Sequence, residues 1–205
     1  MEKKRMQRII SVIFGNVLMG VVVGIMSFMK VGTDVFTGMN LGISDKIGMS
    51  LGYEELIVNG LLLIFVIVTA RKYIGFGTIV NMVIIGFIVE WTEKWMQPLA
   101  FINDYFWLRM VLMVIGILLL SLSLGFYLSP NMGMAPYDAL AYIIHEKWLT
   151  NVQYRYIRMT QDVIALIIGF VLGTTIGPNT FISSFLLGPL IQFMRTHVTD
   201  RLFSE

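Results

Sequence analysis

The sequence predicts an all-α, polytopic membrane protein: six transmembrane helices in two inverted three-helix repeats, each repeat carrying a short broken or interfacial helix. Three observations lead there. Of the 205 residues, 57% are hydrophobic and only 14% charged, against roughly 45 to 50% apolar and 25% charged in an ordinary soluble domain. The apolar excess is gathered into six runs, each close to the roughly 20 helical residues that cross a hydrocarbon core of about 30 Å. Markers also recur at an offset near 101 residues. Together these exclude a soluble globule. The net charge of +2 is too small to point to nucleic acid, and the absence of cysteine removes disulfides, thiol catalysis and thiolate metal sites.

The six runs cover approximately residues 8 to 29, 53 to 71, 74 to 95, 106 to 128, 155 to 174 and 179 to 196. The first follows the basic stretch Met1 to Arg8, and no small-residue cleavage site follows Gly20 to Gly24, so it is expected to stay in the mature chain as a span. With the N-terminus inside, Lys3, Lys4, Arg5, Arg8, Arg71, Lys72, Lys147, Arg155, Arg158, Arg195 and Arg201 fall on the cytoplasmic side, leaving only Lys30, Lys46, Lys94 and Arg109 outside. Eleven against four satisfies the positive-inside rule. Both termini are therefore predicted cytoplasmic, with residues 1–7 and 197–205 as short tails. Trp91, Trp95 and Trp107 mark the external edge, where aromatic rings favour the headgroup level.

Two stretches resist this simple pattern. Val31 to Gly52 is broken by Asp34, Asn40, Asp45 and Lys46, and Asn131 to Asn151 by Asp138, His145, Glu146 and Lys147. Each is expected to hold a short helix that lies at the interface or dips into the protein, and a re-entrant placement would imply a polar cavity. A shift of 101 residues lays Arg8 on Arg109, Gly15 on Gly116, Gly24 on Gly125, Gly32 on Gly133 and Tyr53 on Tyr154; a shift of 102 lays Thr78 and Gly86 on Thr180 and Gly188. Residues 8–96 and 109–196 thus read as two repeats joined by an external loop, 97–108. Three crossings per unit would insert the second upside down, about an axis in the membrane plane. The alternative is a four-crossing unit in parallel repeat, which would force Asp45 and Lys46 into lipid or a core.

Two segments resemble a known family. Met132 to Leu140 (MGMAPYDAL) is similar to the Gly-x-x-Pro-[Trp/Tyr]-Asp segment of the YczE/YyaS-like bacterial integral membrane proteins, related to the YitT group. Gly177 to Phe193 looks like that family's second signature, Gly-x-Gly-Thr followed by Gly-Pro-Leu-Ile. The Gly-x-Gly-Thr form survives better in the first half, at Gly75, Gly77 and Thr78, than in the second, at Gly177, Asn179 and Thr180. The resemblance covers essentially the whole chain and implies a six-span protein of the bacterial cell membrane; it suggests transport.

The paired broken helices are the sharpest functional feature, because such segments offer free N–H and C=O groups near the midplane of repeat-built transporters. Gly32, Thr33, Asp34, Gly133, Tyr137 and Asp138 would line a site there. The plainer alternative is that both glycines terminate helices, Pro136 starts one, and the aspartates cap or face water. Asp162, about two turns inside the fifth span, needs a partner at about 2.5 to 3.5 kcal/mol for a carboxylate at a helix centre. Arg158 one turn back is one candidate, and a solute or proton site with Thr160, Gln161 and Asn59 is the other. Glu90 is expected to snorkel to the outer edge. Gly20 and Gly24 form a GxxxG packing face. The fifteen methionines are scattered and read as packing.

Enzyme signatures fail in context. Gly48 to Gly52 matches GxSxG without the strand that elbow needs, Gly75 and Gly77 lack the third glycine of a dinucleotide site, and His145 and His197 lack zinc-site spacing. No catalytic residue, metal or cofactor is called for. The reading is a transporter or permease for a small polar solute, working in the lipid bilayer through a central site between the repeats. Two alternatives stand beside it: a substrate-capture subunit that partners a separate ATPase module, docking through Gly20 and Gly24, and a non-transporting scaffold or assembly protein. Homo-oligomerisation stays open.

Overall fold

The structure, a computed structural model, describes residues 2–174 and 177–203. The tail ends at Met1, Ser204 and Glu205, and Thr175 and Ile176 between the fifth and sixth expected spans, lie outside the described residues. All regular structure among the described residues is helical. The elements are α1 (Glu2–Phe28), α2 (Val35–Ile47), α3 (Leu51–Thr69), α4 (Phe76–Met96), α5 (Phe106–Leu128), α6 (Pro136–Lys147), α7 (Tyr154–Val171) and α8 (Pro178–Met194). Among the described residues four helices are long and apolar enough to cross a membrane: α1, α3, α4 with the turn that extends it, and α5. The other two expected spans fall short of that measure. α7 is 18 residues long and carries Arg155, Arg158 and Asp162, and α8 has 17 residues.

Helix ends differ from expectation where side chains supply local reasons. The tail 1–7 is helical from Glu2, as its run of Glu, Lys, Arg, Met and Gln favours. At the other end Thr199, expected in a tail, is buried against Gly125 and shares a hydrogen bond of 2.7 Å with Ser129. Glu90 does not reach outward: it accepts from the Gly52 N–H at 2.7 Å, supplying a cap to α3, whose Ser50 makes no side-chain cap bond. Gly48 to Gly52 spans the turn between α2 and α3 and the first residues of α3, with Gly48 left-handed at φ 67°.

α1 and α5 pack antiparallel at the centre: Ser11 donates to Phe126 C=O at 2.8 Å, Gly15 faces Ser123 and Tyr127, and Gly116 faces Met26. α1 also packs on α4 and α5 on α8; α2 lies on α7, and α3 on α6. Gly20 and Gly24 bring α1 and α4 close, since an added Cβ would stand 2.8 Å from Ile88 and 2.7 Å from Thr92. The outer surface is apolar, with Leu61, Ile64, Val68, Val111, Val114, Phe170, Val171 and Phe185 all exposed. Polar groups such as Asn16, Asn40, Glu54, Glu55, Asn59, Asn81 and Asn179 lie inside. That distribution suits a protein surrounded by hydrocarbon, in which polar side chains must find partners within the fold.

The junctions after α1 and α5 set where the short helices α2 and α6 begin. Lys30 and Gly32 have φ of 53° and 92°, and 101 residues later Asn131 and Gly133 have 52° and 98°. These left-handed residues reverse the chain, and extended backbone then meets the start of a helix from the other half. Gly77 N–H donates to Met132 C=O at 2.7 Å, and Asn179 N–H to Val31 C=O at 3.0 Å. Gly75 N–H donates to Thr78 Oγ1 at 3.1 Å, and Gly177 N–H to Thr180 Oγ1 at 3.4 Å. The departure of the second half from Gly-x-Gly-Thr has a reason: the Asn179 side chain donates to Gly32 C=O at 2.8 Å, whereas a Cβ at Gly77 would stand 2.8 Å from Gly133 O. Thr78 Oγ1 also donates to Met134 C=O at 2.8 Å. Thr78→Val should therefore destabilise by about 1 to 3 kcal/mol and Thr78→Ser by less, read as melting temperature in detergent.

Candidate functional site

The middles of α1, α4, α5 and α8 do not close on one another. They leave a cavity of about 100 Å³ walled by Met19 and Val23, Asn81 and Ile85, Leu120 and Leu124, and Ser183, Ser184 and Leu187. The N-terminal ends of α2 and α6 enter it, bringing Asp34, Val35, Phe36 and Thr37 from one side and Ala135, Tyr137 and Asp138 from the other. α3 adds Glu55, and α7 adds Arg158 and Asp162. All eight helices thus contribute. The sequence puts the chain there by breaking the apolar runs at Gly32 and Gly133, so α2 and α6 start beside the bundle's middle with their positive dipole ends inward.

The charges are organised around Arg158. Its Nη1 lies 2.7 Å from Asp138 Oδ1 and its Nε 3.2 Å from Asp162. Tyr137 O–H donates to Asp162 at 2.9 Å, and the guanidinium stands 5.0 Å from the Tyr137 ring centre. Phe36 stacks on Tyr137 at 4.2 Å. Asp34 caps α2 by accepting from Thr37 N–H at 3.1 Å. Asn81 Nδ2 donates to Asn16 Oδ1 at 2.7 Å, tying α4 to α1 beside the cavity. Glu55 is 3% exposed, and its Oε2 has no hydrogen-bond partner.

Of the residues expected at the site, Asp34, Tyr137, Asp138 and Asp162 line this cavity. Gly32, Gly133 and Thr33 do not. The two glycines form the backbone junctions with α8 and α4, and Thr33 is buried behind Gly38. Gln161 sits one layer out, donating to Tyr137 C=O at 2.8 Å, and Asn59 is buried away from the cavity with its Oδ1 unpartnered. Arg158 is the partner of Asp162 along α7, the first of the two alternatives considered for that carboxylate, and it also pairs with Asp138 across to α6, a contact the sequence did not suggest.

Glu54 and Glu55 were not singled out by sequence, and Asn40 only as an interruption of the Val31 to Gly52 stretch. Glu54 is 1% and Glu55 3% exposed because α2 and α4 cover the start of α3. Two adjacent acids inside an apolar run were the signal available. Away from the cavity, Lys72 and Glu146 form an ion pair of 2.6 Å. The Lys72 ammonium, by hydrogen bonding, holds the Glu146 carboxyl below its ordinary value. Any stability from the pair is thus present at neutral pH and lost as pH falls through that lowered value. Both side chains are exposed, so Lys72→Ala should barely move the melting temperature at pH 7.

Comparison with known proteins agrees with a membrane protein. Residues 6–196 match the family described as "Family of unknown function (DUF6198)". The chain is 24% identical over 162 residues to the uncharacterized membrane protein YczE of Bacillus subtilis, covering 79% of this chain and 73% of that one. It is 23% identical over 182 residues to an uncharacterized protein of Haemophilus influenzae, covering 88% of this chain and 80% of the relative. No solved structure matches it. A long family match, a membrane-protein relative and four helices fit to cross a bilayer point the same way: the chain belongs to the DUF6198 family of YczE-like integral membrane proteins.

Proposed function

We propose that the protein is a small-solute membrane transporter or permease whose solute site is the central cavity, set between two inverted repeats of three spans. The observation that carries this reading is the lining of the cavity by matched positions of both halves. Met19 and Leu120, Val23 and Leu124, Asp34 and Ala135, and Phe36 and Tyr137 are 101 residues apart; Asn81 and Ser183, and Ile85 and Leu187, are 102 apart. The repeat-equivalent helices α1 and α5 run antiparallel, which favours opposite insertion over parallel repeats. In this reading α7 and α8 are the fifth and sixth spans, and the charges of α7 turn inward to the cavity.

The end-to-end contacts support both termini lying at one end of the bundle, which the distribution of Lys and Arg makes the cytoplasmic end in this reading. Ser11 meets Phe126, Ser129 meets Thr199 and Lys72 meets Glu146 at one end; Asn103 donates to Phe28 C=O and Arg109 to Lys30 C=O at the other. Reporter fusions at Lys46, Arg71, Asp104, Lys147 and Gly177 should read out, in, out, in, out, and an external signal at Lys147 would contradict the inverted arrangement. The ATPase-partnered alternative loses its proposed docking face, because α4 fills the groove at Gly20 and Gly24.

Solute binding is tested by melting the detergent-purified protein against small polar metabolites. A ligand at 100 times its Kd should raise stability by about 2.7 kcal/mol. Asp138→Asn should weaken that response while leaving expression intact, and a well-expressed variant that binds like wild type would remove Asp138 from the site.

A further inference from the structure

We propose that the central cavity takes a small organic cation, a primary ammonium or guanidinium group on few heavy atoms. The inference rests on the reading of this cavity as a solute site and adds the solute's charge and size. Four carboxylates line the cavity, from Asp34, Glu55, Asp138 and Asp162, against one guanidinium among the described residues, Arg158. That guanidinium is already committed to Asp138 and Asp162. Asp34 and Glu55 face the same volume, and among the described residues neither forms an ion pair.

Glu55 is the independent sign of a ligand. Its side chain is almost fully buried, it lines the cavity, and its Oε2 has no donor. A buried acceptor without a donor is unfavourable by about 1 to 3 kcal/mol, and more for a charged group, so a bound N–H donor would be held strongly. An anion does not fit. The inward helix N-termini, which elsewhere attract anions, already have a carboxylate each, Asp34 capping α2 and Asp138 in the first turn of α6.

Shape separates an organic cation from a metal ion. Among the described residues no three His, Asp or Glu side chains converge closely enough to hold a metal. Carboxylates spread around a wall suit a polyatomic cation with several N–H groups. The apolar wall of Met19, Val23, Ile85, Leu120 and Leu124 suits a short alkyl part. A volume of about 100 Å³ sets the size, below the roughly 150 Å³ of an apolar cavity that admits benzene.

The test is the melting temperature of detergent-purified protein titrated with methylammonium chloride or guanidinium chloride. Sodium chloride at equal ionic strength, sodium acetate and acetamide are run beside them. The cations should give a saturable rise beyond sodium chloride, while acetate and acetamide give none. Glu55→Gln should weaken the response about tenfold or more. Asp34→Asn, which keeps an oxygen for the Thr37 cap, is the second variant should Glu55→Gln not fold. A saturable rise with acetate or acetamide and none with the cations would overturn the cation inference while leaving a solute site. Wild-type cation affinity in both variants would overturn it too, as would the absence of any cation response. Failure of the transport reading itself is seen separately, as no stabilising solute in the metabolite screen.

Discussion

Alanine in place of Gly133 is expected to destabilise the protein by about 2 to 5 kcal/mol, and Gly32→Ala by a similar amount. Both positions hold a left-handed φ, 98° and 92°, which an L side chain adopts at about 1 to 2 kcal/mol. Both are also crowded. A Cβ at Gly133 would stand 2.7 Å from Gly75 Cα and 2.7 Å from Thr78 Oγ1, and one at Gly32 would stand 2.8 Å from Gly177 N and meet Thr180 Oγ1. Overpacking of that kind adds about 1 to 3 kcal/mol. Gly60→Ala and Gly188→Ala are the controls: both glycines are helical with open space around them, so alanine should be neutral or stabilise by up to about 1 kcal/mol. Melting temperatures of the four variants measure the contrast. Equal values for Gly133→Ala and Gly188→Ala would contradict the junction geometry.

Arg158→Met should be the most damaging change inside the cavity. It leaves Asp138 and Asp162 facing each other without their cation, and breaking a buried pair in this one-sided way destabilises by about 3 to 5 kcal/mol. The lower end applies, because the Arg158 side chain keeps 29% exposure to the cavity and its opening. Arg158→Lys keeps the charge but loses the planar fork that serves two carboxylates at once, and should fall between. Adding Asp138→Asn and Asp162→Asn to Arg158→Met should recover part of the loss, since no uncompensated charge then remains among these three. An Arg158→Met protein that expresses and melts like wild type would refute the assignment of Arg158 as the hub of this network.

Periodicity and its interruptions made part of this fold legible in the sequence. The helix α5 (Phe106–Leu128) coincides with its expected span because an apolar run whose one charged residue, Arg109, sits in the first turn has only one way to fold in hydrocarbon. The starts of α2 and α6 were marked by Gly32 and Gly133, and Asp34, Tyr137, Asp138 and Asp162 reach the cavity as their positions on the broken helices and α7 suggested. Long-range partners left no such trace. The Arg158 to Asp138 pair joins residues 20 apart on different helices, and the capping of Gly52 by Glu90 joins residues 38 apart. Asn59 was expected at the site, yet it lies one helical turn beyond Glu55 on α3, buried but outside the cavity wall. Glu55 shows the converse, since its role depends on α2 and α4 covering it, which no local pattern on α3 records.

The central claim, a solute cavity that opens to each side of the membrane, meets its most direct test in single-cysteine labelling. The chain has no cysteine, so Ser184→Cys places one thiol on the cavity wall. A slender, membrane-impermeant cationic methanethiosulfonate reagent, which carries the charge the cavity is read to accept, is added separately to right-side-out and inside-out vesicles, with Leu61→Cys on the exposed apolar face of α3 as the lipid-facing control. The account predicts that Ser184→Cys is labelled from both sides and protected by a bound solute, while Leu61→Cys is labelled from neither. Labelling of Ser184→Cys from neither side would contradict it.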